Sequence, residues 1–272
     1  MERMTTHCID GRALARAIRA SVAAEITELE LRPGLGVILV GDDPASRLYV
    51  ALKEKACAEV GIQYTQRLFP TDTPQEDIIA AVKALNTDPE IDAILVQLPL
   101  PSHMDADDVV AAMDPKKDVD GFHPENLFAY LEGSGEAPGL VEVISMLLDE
   151  AKAPAHGLAA VLANSAVFSA PVETMLSRRG LEPTEDAAAA DVVVTALGKP
   201  GSLAAEQIKP GAIVIDVGTT RVDAHTVGDA DATSLNGVAG ALTPVPGGVG
   251  PMTVAMLLKK TLELAKRRRN IS

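Results

Sequence analysis

Residues 36–62 read GVILVGDDPASRLYVALKEKACAEVGI, an apolar run followed by a turn and an amphipathic segment. The run Gly36–Val40 predicts a buried strand, and Asp42, Asp43 and Pro44 predict a turn and the start of a helix. A helix that begins at the carboxyl end of a buried strand is the repeating unit of α/β folds. This stretch therefore predicts an α/β protein and places the first helix beside a sheet edge.

The predicted helix carries two different faces. Ser46, Tyr49 and Lys53 recur at i, i+3 and i+7, so they share one polar face. Leu48, Leu52 and Ala56 lie on a neighbouring apolar face that is expected to pack on the sheet. The polar face is either ordinary solvated surface or part of a ligand site, because open α/β sheets bind ligands at the carboxyl ends of their strands.

Composition limits the classes of function. The chain of 272 residues is 47% hydrophobic and 23% charged, which is typical of globular proteins with one large or two ordinary domains. A net charge of −14 argues against nucleic acid as a partner, and an anionic substrate would need a locally basic pocket. No run is long enough to span a membrane, no secretory leader is evident, and two cysteines predict no disulfide framework. We therefore expect a cytoplasmic protein without a membrane partner or a metal site.

Apolar runs alternate with amphipathic segments along the chain, which predicts two successive βαβ series. The predicted strands are 36–40, 62–69, 91–97, 157–163, 191–198 and 211–218. The predicted helices, besides the one after Pro44, are 10–31, 73–85, 106–113, 140–152, 169–179 with Pro171 in its first turn, and 252–266. A stretch containing Gly, Glu and Pro, 133–139, predicts a linker between the two series.

Three further segments place polar or glycine residues near strand ends. Gln97 ends the strand in VQLPLP (96–101), and its amide must bond either loop backbone or a ligand. The polar stretch DPKKDVDGFHPEN (114–126) predicts a loop in which Asp118 and Asp120 are either turn formers or carboxylates that hold a polar substrate. The glycines of TPVPGGVGPMT (243–253) allow close approach of backbone to a ligand, with a helix starting at about Pro251.

These motifs, together with GAIVIDVG (211–218) and taken in order, resemble the bifunctional methylenetetrahydrofolate dehydrogenase/methenyltetrahydrofolate cyclohydrolase family. The resemblance implies an α/β fold of two domains with a cleft between them. One is a three-layer folate-binding domain, 1–133 plus 251–272, and the other is a shortened Rossmann-like NADP-binding domain, 134–250. It further implies a cytoplasmic homodimer that acts on tetrahydrofolate derivatives.

The resemblance also implies roles for particular residues. Lys53 matches the family's essential lysine, which shuttles protons, and Gln97 matches the glutamine beside it. Tyr49 matches the tyrosine that packs on the folate, and Asp120 matches the aspartate that holds the pterin ring. The other substrate-binding positions implied are Ser46, Leu98, Pro99, Pro246, Gly247 and Gly248.

The dinucleotide half departs from the family pattern. Where the family has GRS-x-x-VG-x-P, this chain has ANSAVFSAP (163–171), so Asn164 replaces the arginine and both glycines are lost. GLEPTEDAAAA (180–190) replaces a family strand that ends in a polar turn. Because the arginine pairs with the 2′-phosphate and the glycines admit the pyrophosphate, we predict weak or lost NADP binding. The positions implied for the cofactor are Asn164, Ser165, Pro171 and Thr219.

Three functions are compatible with this pattern. The first is the bifunctional enzyme, with an altered mode of dinucleotide binding. The second is a cyclohydrolase that has lost dehydrogenase activity. The third is a non-catalytic folate-binding or heterodimerising paralogue, which retention of the matched lysine, tyrosine, glutamine and aspartate argues against.

Overall fold

A computed structural model describes residues 5–223 and 225–271, without the side chain of Ala45. The chain divides into two compact units. We call Arg16–Gly139 together with the residues from Val254 onward the N-terminal unit, and Leu140–Thr253 together with the described residues through Ala15 the central unit. In the described part of the chain, no helix has the length and apolar character needed to cross a membrane.

Helices and strands alternate along both units. The helices are α1 (Gly11–Glu28), α2 (Pro44–Val60), α3 (Gln75–Thr87), α4 (Ala106–Ala111), α5 (Pro124–Leu131), α6 (Gly139–Glu150), α7 (Ala166–Arg178), α8 (Ala232–Leu235) and α9 (Val249–Arg268). The strands are β1 (His7–Cys8), β2 (Gly34–Val40), β3 (Gln63–Phe69), β4 (Ala93–Val96), β5 (Gly157–Ala163), β6 (Leu181–Pro183), β7 (Val192–Ala196), β8 (Ile213–Asp216), β9 (Thr220–Val222), β10 (His225–Val227) and β11 (Ala241–Leu242).

The N-terminal unit is a parallel sheet in the order β3–β2–β4 with helices on both faces. All seven residues of β2 are buried, because its alternate side chains enter two different cores. Val37 and Leu39 pack with α1, α2 and α9, whereas Ile38 and Val40 pack with α3 and α4. This arrangement confirms the predicted three-layer α/β domain.

Helix α2 buries a different face from the one predicted. Leu48 is 49% exposed and Leu52 is 46% exposed, whereas Val50, Cys57 and Val60 are buried in the core. The predicted packing of this face was therefore wrong for Leu48 and Leu52 but is confirmed for Ala56, which is 1% exposed. Asp43 caps this helix by accepting the Ser46 backbone N–H, as the acidic turn predicted.

Helix α5 begins within the stretch that was predicted to be a loop. His123 occupies the N-cap position, where its Nδ1 accepts the Glu125 backbone N–H at 3.2 Å, and Pro124 follows as the first helical residue. A capping side chain followed by proline is a helix-start signal, so the loop prediction was wrong for the last residues of the stretch.

The central unit contains a parallel sheet in the order β1–β11–β8–β7–β5–β6. The chain runs from β5 to its neighbour β6 and then crosses to β7 on the other side of β5. Such a reversal of strand order is the switch point at which open α/β sheets bind ligands. At the far edge, His7 pairs with Ala241 and Cys8 with Leu242, so the N-terminal segment extends this sheet. The expectation that it belongs to the folate domain is therefore corrected.

Two details of the dinucleotide half also differ from expectation. Helix α7 begins at Ala166, so Pro171 lies inside the helix and is buried, rather than in its first turn. The stretch 180–190 retains a three-residue strand, β6, which pairs with β5 but is not followed by a helix. The described elements of this half therefore form a shortened Rossmann-like βαβ unit.

Candidate active site

Lys53 and Gln97 meet at the carboxyl edge of the N-terminal unit's sheet. Lys53 Nζ donates a hydrogen bond to Gln97 Oε1 at 2.8 Å, and Gln97 Nε2 donates to the Leu98 carbonyl oxygen at 2.7 Å. The Gln97 backbone N–H donates to Ile38 at 2.9 Å, which anchors the residue to β2. The amide of Gln97 therefore bonds loop backbone, as one of the two alternatives foresaw, and its oxygen also holds the lysine.

The surroundings of Lys53 favour its neutral form. Desolvation lowers the pKa of Lys53, and the nearby Asp120 carboxylate partly opposes this effect. Desolvation also raises the pKa of Asp120 above that of an ordinary carboxylate, against the attraction of the Lys53 ammonium. The Asp120 side chain still contacts solvent, which moderates its shift. An amine with a depressed pKa is suited to exchange protons near neutral pH.

Asp118 and Asp120, in the loop before α5, have different environments. Asp118 is 8% exposed, and its carboxylate accepts hydrogen bonds from Gly121 N–H, His123 N–H and Asn126 Nδ2 at 2.8–3.0 Å. Asp118 is therefore the turn former of the loop. The Asp120 carboxylate makes no hydrogen bond within the described chain, which leaves it available to a ligand.

The remaining predicted residues of this unit differ in accessibility. Tyr49 is partly exposed, and Leu98 is 49% exposed in the turn that follows β4. Pro99 is also exposed, and the Leu98–Pro99 peptide bond is cis. Ser46 is only 4% exposed, because its position on α2 faces inward. Tyr49, Leu98 and Pro99 are thus accessible on the described surface, whereas Ser46 is not.

The glycine turn of the central unit packs tightly on the start of α1. A Cβ atom at Gly11 would lie 1.9 Å from the Gly248 carbonyl oxygen, and one at Gly247 would lie 3.3 Å from Arg12 Nε. Gly247 also has φ of +125°, a conformation that side chains rarely adopt. Pro246 is exposed at the tip of the turn. Glycine is therefore required here by close packing and by backbone conformation.

The dinucleotide positions lie at the carboxyl end of β5, with one exception. Asn164 and Ser165 are exposed before α7, and Asn164 Nδ2 donates to the Leu197 carbonyl oxygen at 3.2 Å. Thr219 is exposed after β8, at the same edge of the sheet. An exposed helix start after the first strand fits a pyrophosphate. Pro171, being buried inside α7, is not brought to this edge.

A buried pair of carboxylates, which the sequence reasoning did not single out, organises the same edge. Asp229 is fully buried, and its carboxylate accepts hydrogen bonds at 2.5–3.3 Å from the Thr195 hydroxyl and from the backbone N–H groups of Leu197, Gly198 and Lys199. Asp216 accepts at 2.8–3.1 Å from the backbone N–H groups of Gly218, Asp229 and Ala230. Burial, together with the Asp229 charge, raises the pKa of Asp216 to about 6. The sequence offered one signal for this pair, because Asp216 is a carboxylic acid at the end of the apolar run AIVID (212–216).

Sequence profiles of one family match most of the chain. The profile of the tetrahydrofolate dehydrogenase/cyclohydrolase catalytic domain matches residues 9–120, and that of the NAD(P)-binding domain of the same family matches residues 138–269. Bifunctional protein FolD of Cupriavidus metallidurans is 43% identical over 285 residues, covering 99% of this chain and 100% of that protein. Bifunctional protein FolD of Bordetella avium is 44% identical over 280 residues, covering 97% of this chain and 99% of that protein.

Solved structures of similar proteins share the fold. The FolD methylenetetrahydrofolate dehydrogenase-cyclohydrolase of Trypanosoma brucei, complexed with NADP and an inhibitor, has a TM-score of 0.93 at 35% identity and covers 97% of this chain and 99% of its own. The FolD enzyme of Campylobacter jejuni has a TM-score of 0.90 at 35% identity with the same coverage. The chain therefore belongs to the tetrahydrofolate dehydrogenase/cyclohydrolase family.

Proposed function

We propose that this protein is a bifunctional enzyme of tetrahydrofolate one-carbon metabolism. It oxidises 5,10-methylenetetrahydrofolate to 5,10-methenyltetrahydrofolate with a nicotinamide dinucleotide, and it hydrolyses the methenyl compound to 10-formyltetrahydrofolate. The observation that carries this proposal is the hydrogen-bonded pair of Lys53 and Gln97 in a chain that matches both domains of the family. The alternatives of a cyclohydrolase without dehydrogenase activity and of a non-catalytic paralogue gain no support from the relatives, which are named as bifunctional.

Lys53 is the proposed proton carrier of the hydrolysis. Water adds to the methenyl carbon, and the proton that it releases must be taken up before the ring C–N bond opens. Lys53 in its neutral form takes this proton, and desolvation is what keeps that form available. Gln97 holds the amine through its carbonyl oxygen without adding a charge that would raise the pKa of Lys53.

Asp120 and Tyr49 are the proposed substrate contacts of the N-terminal unit. A carboxylate that has no hydrogen bond within the described chain can accept the N–H groups of a pterin ring. The partly exposed Tyr49 ring, four residues before Lys53 on α2, offers an aromatic face to the substrate. The exposed Leu98 and Pro99 add apolar surface in the turn beside Gln97.

The central unit carries the family's NAD(P)-binding domain. The start of α7, with Asn164 and Ser165 before it, would hold the pyrophosphate of a nicotinamide dinucleotide through backbone N–H groups, and the dinucleotide would supply the hydride acceptor for the oxidation step. Asp229 keeps the Leu197–Lys199 loop in place at the same sheet edge.

The proposed function is tested by replacing the lysine. Lys53→Ala is expected to lower the hydrolysis of 5,10-methenyltetrahydrofolate by a factor of about 10² to 10⁴, the usual contribution of a positioned proton carrier. Lys55→Ala, which removes an exposed lysine from the same helix, is the matched control and is expected to keep the wild-type rate. Full activity of Lys53→Ala would refute the assignment of the site.

We further propose a homodimer located in the cytoplasm. β3 lies at one edge of its sheet, and its Leu68 is 59% exposed. Leu48 and Leu52 on α2 are exposed to a similar extent. An open strand edge with exposed apolar side chains favours association with a second copy of the chain. The two free cysteines, Cys8 and Cys57, suit a reducing compartment. Light scattering of the purified protein should give the mass of two chains.

A further inference from the structure

We propose that the dinucleotide site of this protein selects NAD over NADP, and that Glu185 accepts the hydroxyl groups of the adenosine ribose. This inference rests on the proposed function, because it concerns the cofactor of the same oxidation. It departs from the Trypanosoma brucei relative, whose structure contains NADP.

The topology of the central unit places Glu185 where an adenosine ribose is bound in Rossmann folds. β5, α7 and β6 form the first βαβ unit of the sheet, with β6 parallel to β5. Glu185 follows the loop between β5 and α7 by about 20 residues, the spacing at which an acidic residue bonds the ribose hydroxyls of NAD. The acidic end of β6 therefore matches the pattern of an NAD site.

The main chain at the end of β6 presents Glu185 to solvent. The Thr184 backbone N–H donates to the Ala159 carbonyl oxygen at 2.9 Å, which continues the strand pairing one residue beyond β6. Glu185 and Asp186 are both exposed immediately afterwards. The Asp186 carboxylate accepts the Ala188 backbone N–H at 2.9 Å and so serves the turn. The Glu185 carboxylate makes no hydrogen bond or ion pair within the described residues, so it is available to a ligand.

The two segments that follow β5 and β6 contain no cation for the 2′-phosphate that distinguishes NADP from NAD. Neither ANSAVFS (163–169) nor LEPTEDA (181–187) contains lysine or arginine. Asn164, which stands where the family pattern has arginine, donates its Nδ2 hydrogen to the Leu197 carbonyl oxygen. Arginine is the side chain that suits bidentate phosphate recognition, and an amide does not replace its charge.

Three other cations of the central unit, Arg179, Lys209 and Lys199, lie away from the end of β6. Arg179 follows α7, at the end away from the loop, and it pairs with Asp149 at 2.5 Å. Lys209 pairs with Asp191 at the start of β7, again at 2.5 Å. Lys199 follows β7, which pairs with the opposite side of β5 from β6. A 2′-phosphate at the end of β6 would therefore lie beside the exposed Glu185 and Asp186 and away from these three cations, which disfavours NADP.

Binding to the intact protein tests this selectivity without requiring turnover. Calorimetric titration of the wild type is expected to give a Kd for NAD at least about tenfold lower than that for NADP, the size of effect that a misplaced charge commonly produces. Asn164→Arg supplies the missing cation and is expected to lower the ratio of the Kd for NADP to the Kd for NAD by about fivefold or more. Glu185→Gln is expected to weaken NAD binding by about threefold or more.

Glu173→Gln is the matched control, because it removes an exposed carboxylate from α7 away from the loop, and it is expected to leave both dissociation constants unchanged. Equal or tighter binding of NADP by the wild type would overturn the selectivity, and so would an unchanged Kd for NAD in Glu185→Gln. Oxidation of 5,10-methylenetetrahydrofolate is measured in parallel with both dinucleotides. Absence of oxidation with both dinucleotides would refute the proposed dehydrogenase itself, whereas efficient oxidation with NADP alone would refute only the selectivity.

Discussion

Gln97→Glu tests directly whether the neutral form of Lys53 drives hydrolysis. In the wild type an uncharged amide oxygen lies 2.8 Å from Lys53 Nζ. The substitution puts a carboxylate oxygen at the same position with almost no change in side-chain volume. The new charge stabilises the ammonium form of Lys53 and therefore acts against the desolvation that lowers its pKa.

The size of the effect follows from the contact. An opposite charge within about 4–6 Å shifts a pKa by about 1–3 pH units, so the pKa of Lys53 should rise by that amount. At pH values below the wild-type pKa of Lys53, the neutral fraction of the amine falls by a factor of about 10 to 1000. The rate of hydrolysis in that pH range is expected to fall by the same factor.

The assay is the rate of 5,10-methenyltetrahydrofolate hydrolysis as a function of pH. On the acidic limb of the profile the rate falls as the pH falls. The midpoint of this limb should move to higher pH by about 1–3 pH units in Gln97→Glu. Gln97→Met is the control: it removes the hydrogen-bond acceptor without adding charge, so its acidic limb should not move upward. An acidic limb at the wild-type pH in Gln97→Glu would refute the role of Lys53 as the titrating base.

Two further predictions concern the buried carboxylates of the central unit. Asp229→Asn leaves a single acceptor oxygen for the donors that the carboxylate now binds, so the free energy of unfolding, measured in urea, should fall by about 1–3 kcal/mol; an unchanged transition would contradict this. The pKa of Asp216 is raised to about 6, so the folded state holds this proton to higher pH than the unfolded state does. Its contribution to stability is therefore greatest below about pH 4 and falls as the pH rises to about 6, because the folded protein must then bury a charge. Asp216→Asn should flatten the dependence of Tm on pH across this window, and an equal slope in both proteins would argue against it.

The matched motifs predicted more of the fold than of the site. β5 occupies 157–163, as its uninterrupted apolar run predicted, and α6 occupies Gly139–Glu150, close to the predicted helix 140–152. The acidic turn before α2 acts as a helix cap, because capping depends on residues within three positions of one another. Such features need no knowledge of distant contacts.

The errors arose where distant parts of the chain compete. Leu48 and Leu52 are as apolar as Val50, yet they face solvent. The face that a helix buries depends on how it packs against the sheet and the neighbouring elements. Asp118 and Asp120, in the loop before α5, have similar neighbours in the sequence. Only the folded loop shows that Asp118 holds the loop backbone and that the Asp120 carboxylate is left available to a ligand. His7 and Cys8 pair with Ala241 and Leu242, a partnership that no local pattern could indicate.

The sequence by itself determined most of the longer strands and helices, and it indicated Lys53 on the polar face of a helix and Gln97 at the end of a strand. Periodicity and turn chemistry act over a few residues, so both can be read directly. Only the tertiary structure decided that Gln97 holds the Lys53 amine, that Asp216 and Asp229 organise the second sheet edge, and that Glu185 lies free where Asn164 offers no cation. These relations join residues far apart in the chain, and packing alone sets the distances between them.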